Sequence, residues 1–155
     1  MLGYWLMIDR RRLLGCLVAT PLAASPAFAG CPSVSSESGQ AIGGFDPVGY
    51  FRDGQAVAGS DAHRLMWRNV VWRFASEQNL AVFERDPVGF SPQFGGYCAM
   101  MMSEGRVIEG SPEAWAIYDD KLYFTRSLAA RDLWLQDPAP LIVKADSHWP
   151  AALCR

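Results

Sequence analysis

Apart from Arg10-Arg11-Arg12 near its start, the chain has no run of basic residues, and it holds only two histidines, His63 and His148. A nucleic-acid partner needs clustered Lys and Arg to replace counterions, so that class is disfavoured. The usual catalytic signatures are missing too. There is no G-x-S-x-G, no Cys-x-x-Cys, no glycine-rich phosphate loop and no H-E-x-x-H. Acid pairs do occur, at Asp119-Asp120 and Glu84/Asp86, but at a turn and a helix end, where solvated carboxylates are routine. No apolar run is long enough to span a bilayer: the longest candidate, Leu13 to Ala24, is short and broken by Pro21. What remains is a globular composition, half hydrophobic and 19% charged over 155 residues, enough for one domain.

The first 29 residues read as a cleaved export signal. A charged end, a short apolar middle and the small-x-small site Ala27-Phe28-Ala29 are its three parts. The run DRRRLLG is similar to a twin-arginine signal, and Met7 as an alternative start gives a more usual leader than Met1. Periplasmic or secreted localisation follows. A competing reading uses the same residues: Phe28-Ala29-Gly30-Cys31 is close to a lipoprotein cleavage box, and acylation of Cys31 would anchor the protein to a membrane. After cleavage the chain carries 11 basic and 15 acidic residues, a net charge of −4.

Four cysteines become three once Cys16 leaves with the leader. In an oxidising compartment three thiols suggest one bridge and one left over. Cys31 and Cys154 lie at the two ends of the mature chain and are the candidate disulfide. Cys98 is then the odd thiol.

Residues 30–44 are Ser/Gly-rich and expected to form a flexible lead-in. Alternation in HRLMWRNVVWRF, residues 63–74, predicts a hairpin turning at Arg68-Asn69, with Trp67 opposite Val70, Leu65 opposite Trp72 and His63 opposite Phe74. Ser76 can cap a following helix that contains Leu80 and Phe83 and ends at Asp86-Pro87. A Gly/Pro-rich loop leads to Cys98. WAIYDDKLYF, residues 115–124, predicts a second hairpin pairing Ile117 with Leu122 and Trp115 with Phe124. Asp120 is a weaker turn residue than Gly there, because the position requires positive φ. Ser127 caps a second helix containing Leu128 and Leu135, stopped at Asp137-Pro138. A third is expected over about Pro140 to Asp146, with Trp149 packing back. The expected fold is therefore α+β: a small single domain of two antiparallel β-hairpins and two to three short helices. The halves share a hairpin-then-helix plan, without a visible sequence repeat.

The run FDPVGYF (45–51), then WRFAS, a helix ending in FERDP, and PQFGGYCA (92–99) resembles the exported single-domain branch of the YHS family. EAWAIYDDKLYF and VKADSHWP also look like that branch, so the resemblance covers nearly everything from Ala41 to Pro150; the domain is placed at 45–150, leaving 151–155 as a tail. The family's metal-associated branch carries a thiol set that falls here on Gly49, Ala75 and Asn79. None of these has a metal-binding thiol, so that function does not transfer. The Tyr-His-Ser triplet of the family's name is absent as well.

The stretch PQFGGYCAMMM leaves three readings open. In the first, Cys98, Met100 and Met102 pack into a seam by strand-like alternation. In the second, Cys98 and Tyr97 contact a small ligand, or Cys98, Met100 and Met102 ligate soft copper(I), with Met101 or His63 joining from elsewhere. In the third, Cys98 is a reactive thiol, which requires a nearby cation or His. The sequence-level expectation is an exported, non-enzymatic domain binding a small ligand or soft metal ion near Cys98. The alternative is a structural or protein-interaction module of the cell envelope. A membrane enters only if Cys31 is acylated.

Overall fold

The computed structural model describes residues 32–36 and 38–154. The leader and Cys31 lie outside the described residues, and with them the expected Cys31–Cys154 bridge and any lipid anchor. Among the described residues no helix is long and apolar enough to cross a membrane.

Asp46 starts the first half. Its side chain accepts from the amides of Val48 and Gly49, and Pro47 sits at the first helical position, so the chain enters helix α1, Pro47–Arg52. Strands β1 (Ser60–Trp67) and β2 (Val70–Phe74) form the first antiparallel hairpin. Trp67 pairs with Val70 and Leu65 with Trp72, as the alternation predicts. The third expected pair is corrected: Phe74 faces Ser60, not His63, because the register shifts between Ser60 and Arg64. Arg68 and Asn69 both take positive φ, 52° and 62°, as a two-residue turn of this hand demands. Ser76 caps α2 (Glu77–Arg85), and Asp86 then caps a further short helix, α3 (Pro87–Phe90), where the sequence suggested only loop.

A left-handed turn at Phe94-Gly95 precedes α4 (Ala99–Met102). Strands β3 (Ser111–Tyr118) and β4 (Lys121–Thr125) form the second hairpin, with Ile117 opposite Leu122 and Trp115 opposite Phe124, as expected. Asp119 and Asp120 hold φ of 50° and 55°. Ser127 caps α5 (Leu128–Trp134). Leu128 and Leu135 are not its inner face, however: both are exposed, and Ala130 and Trp134, four apart, point inward. The last helix, α6, runs from Pro138 to His148, longer than anticipated at both ends. The α+β class holds, with six short helices among the described residues in place of two or three.

Two core clusters result. One gathers Val48, Tyr50, Trp72, Phe74 and Phe83 with Leu122 and Phe124; the other gathers Tyr97, Met102, Ala116, Tyr123, Trp134 and Ala145. Successive β4 residues point into different clusters, so the second hairpin is covered on both faces. The lead-in is not loose where it is described. Val34 and Ser35 are buried, the Ser35 amide donates to the Gly95 carbonyl at 2.9 Å, and the Ser35 hydroxyl bonds to the Glu109 carboxylate. The Tyr97 hydroxyl donates to the Pro32 carbonyl at 3.1 Å. A Cβ on Gly95 would collide with the Ser33 carbonyl, so only glycine lets this strap cross. The tail also turns inward, as a 3-10 turn over Ala151–Cys154 that buries Ala152.

Candidate functional site

Cys98 sits at the N-cap of α4, separated from the double glycine by Tyr97. Its amide donates to the Ile108 carbonyl at 2.8 Å, its carbonyl accepts from Met102 at 2.9 Å, and it bridges to Phe124 of β4. The residue is 0% exposed and is a free cysteine. None of the described clefts is lined by it.

The stretch after it is a helical turn, which corrects the strand-like seam expected for Cys98, Met100 and Met102. Consecutive residues on a helix point about 100° apart, so the three methionines diverge. Met102 is fully buried in the second core, while Met100 and Met101 are half-buried. His63 lies in the irregular part of β1, which packs on β2 and α2, whereas Cys98 lies between α4 and β4. Of the two histidines it is His148, at the end of α6, that comes near this region: its ring lies over Gly105, just beyond α4. No group of three His, Cys, Asp or Glu side chains is placed to hold a metal ion among the described residues. Tyr97 packs on Trp149 at 6.3 Å between ring centroids, and its hydroxyl is committed to the strap.

A second polar centre escaped the sequence reading. Asp46 is 0% exposed, yet its carboxylate accepts four bonds. Oδ1 takes the amides of Val48 (2.8 Å) and Gly49 (3.4 Å); Oδ2 takes the Ala75 amide (2.8 Å) and the Asn79 side-chain amide (2.7 Å). Arg52 in turn donates to Asn79 Oδ1 at 2.9 Å. Gly49, Ala75 and Asn79, from three segments of the chain, thus converge in space on a carboxylate. The sequence signal was the Asp-Pro capping pair; what it lacked was any hint that Ala75 and Asn79 arrive from another element. With every strong acceptor site used, Asp46 has no lone pair presented to a substrate.

Two buried phenols are perturbed. Desolvation, then the charges of Glu113 and Asp46, pushes the Tyr50 hydroxyl far above its ordinary value; it donates to the Pro112 carbonyl at 3.1 Å. Tyr123 is pushed up to about 12, by burial first and then by Asp146, Asp119 and Tyr118. Neither is poised to give up a proton near neutral pH. A shallow cleft of about 550 Å³ runs between the tip of the second hairpin and α6, lined by Tyr118, Asp119, Lys121, Tyr123, Ala139 and Ile142.

The geometry thus defines a small α+β domain with two structural cap centres. No family model, curated protein or solved structure matches the chain.

Proposed function

We propose that this chain is an exported, non-enzymatic YHS-like domain acting as a structural or protein-interaction module of the cell envelope, with Cys98 as a packed core thiol. The observation that carries the reading is the complete burial of Cys98 away from every described cleft. Copper held through Cys98 would need its neighbouring thioethers to converge, and one helical turn spreads them instead. A ligand at Tyr97 would have to displace both the strap and Trp149. Support for an interaction role comes from the outer surface of α5, α6 and the second hairpin. Leu128 and Leu133 on α5 and Val143 on α6 are each more than half exposed, and Leu135, Ile117 and Tyr118 are exposed as well.

Metal analysis of protein purified from the periplasm, beside a Cys98→Ser control, is expected to find no Cys98-dependent copper or zinc. Iodoacetamide is expected to label Cys98 only after denaturation. A photocrosslinker at Leu133 is expected to capture a discrete envelope protein in cells, and one at the exposed Asp53 is not. Stoichiometric metal lost in Cys98→Ser, or rapid labelling of the folded thiol, would replace this reading with the ligand-binding one.

A further inference from the structure

The two halves of the domain follow one plan in more detail than a shared hairpin and helix. In β1–β2 the pairs are Ser60–Phe74, then Arg64–Arg73, with the register shift between them; in β3–β4 they are Ser111–Thr125, then Trp115–Phe124, with the same shift. Each residue of the second set stands 51 positions after its counterpart. That spacing also relates the turns Arg68-Asn69 and Asp119-Asp120, the caps Ser76 and Ser127, and the Asp-Pro pairs at 86–87 and 137–138. The aromatic packing repeats as well. Trp72 lies on Phe83 at 5.1 Å and 32°, and Tyr123 on Trp134 at 5.0 Å and 38°. Trp67 meets Phe83 edge-on at 89°, and Tyr118 meets Trp134 at 83°.

The lead-in to each hairpin matches at a spacing of 52. Ile42-Gly43 and Phe94-Gly95 take the same left-handed conformation, each followed by a second glycine. Phe45 bridges to Ala58 and Tyr97 to Glu109. Gly59 donates to the Gly44 carbonyl, and Gly110 to that of Gly96. A Cβ on either Gly59 or Gly110 would strike the facing strand, at Arg73 and Phe124 respectively, themselves counterparts. The Asp46 amide donates to the Val57 carbonyl at 2.8 Å, and the Cys98 amide to that of Ile108 at 2.8 Å.

We infer that the domain is a tandem duplication of one folding unit, and that Cys98 is the second unit's copy of the Asp46 cap site, refilled with an apolar pair. The counterpart of Asn79, the side-chain donor to Asp46, is Ala130, so both members of the polar pair are replaced together. Asp46 with Asn79 closes the first cap by hydrogen bonds; the second, at the buried Cys98 and Ala130, has no such polar pair. Both cap helices pack on the capped helix that follows their hairpin, α1 on α2 and α4 on α5. The inference holds whichever partner the domain has, since it concerns why a cysteine stands at position 98.

The test is to graft the first unit's pair onto the second. Cys98→Asp alone is expected to lower the Tm, because a buried carboxylate lacks its side-chain donor, and Ala130→Asn alone to lower it through an unpaired amide. The double variant Cys98→Asp/Ala130→Asn is expected to recover at least half of the Tm loss of Cys98→Asp. Additive losses would overturn the equivalence, since residues that do not meet across the cap do not couple. Where Cys98→Asp alone fails to accumulate, folded accumulation of the double variant is the supporting result, and failure of both variants overturns the inference.

Discussion

Asp46 shows how much one side chain can hold together in a chain this short. Its carboxylate ties the start of α1 to the end of β2 and to α2, and all of its partners are N–H donors. Asp46→Ala strands the Ala75 amide and the Asn79 side chain in the core. Each unsatisfied buried donor costs about 1–3 kcal/mol, so the expected loss is about 3–5 kcal/mol by urea denaturation. A loss below about 1 kcal/mol would mean that the carboxylate is not the hub described. The capping half of its role was legible from Asp-Pro; the other half depends on Ala75 and Asn79, some thirty residues on, and nothing local announces them. For Cys98 the readings left open by residue type are narrowed by burial. A thiol sealed in packed hydrocarbon is shielded from reagents, whatever methionines follow it.

At the scale of elements, both hairpins were readable, because alternation of apolar and polar residues imposes a period of two and each two-residue turn fixes the register. What misled was the bulge. It lies between Ser60 and Arg64, where no glycine or proline flags it, and it removes the His63–Phe74 pair. The inner face of α5 is not its most apolar one. Leucine is the more apolar choice, yet Ala130 is small enough to let the helix approach the sheet, and Trp134 fills the space a turn later. The hydroxyls of Ser76 and Ser127 accept from the amides of Asn79 and Ala130, each at 3.2 Å. Ser76→Ala and Ser127→Ala are each expected to cost about 1 kcal/mol, read as matched shifts in the urea midpoint. A cost confined to one of the two would show that the caps are not equivalent in solution.

For the whole molecule, alkaline pH is the sharper probe of the core. Tyr123 has a folded pKa of about 12 against an ordinary value of 10.0, and Tyr50 is raised further. The unfolded phenols therefore release protons first. Their contribution to stability is fully present below pH 10 and is lost as pH rises through about 12 for Tyr123. The Tm is expected to fall over that interval, and Tyr123→Phe is expected to shrink the fall; an unchanged profile in Tyr123→Phe would leave that phenol without a part in it. The proposed Cys31–Cys154 bridge acts at the same scale. A link across nearly the whole mature chain contributes about 4–5 kcal/mol in the chain-entropy model. Reductant is expected to lower the Tm of the mature protein and to add the mass of two hydrogens; an acyl mass on Cys31 would point to an anchor instead.

By itself the sequence determined the class of the fold, both turns, both serine caps and the core face of the first hairpin, since each follows from the chemistry of a few adjacent residues. Only the tertiary structure decided that Cys98 lies sealed, that the lead-in is strapped over Gly95, and that Asp46 gathers donors from two other segments. It also decided that the halves correspond. Cap, turn and close-packing positions admit few residue types, so they kept their glycine, serine and Asp-Pro, while the faces between them were free to change in composition as long as they filled the same space.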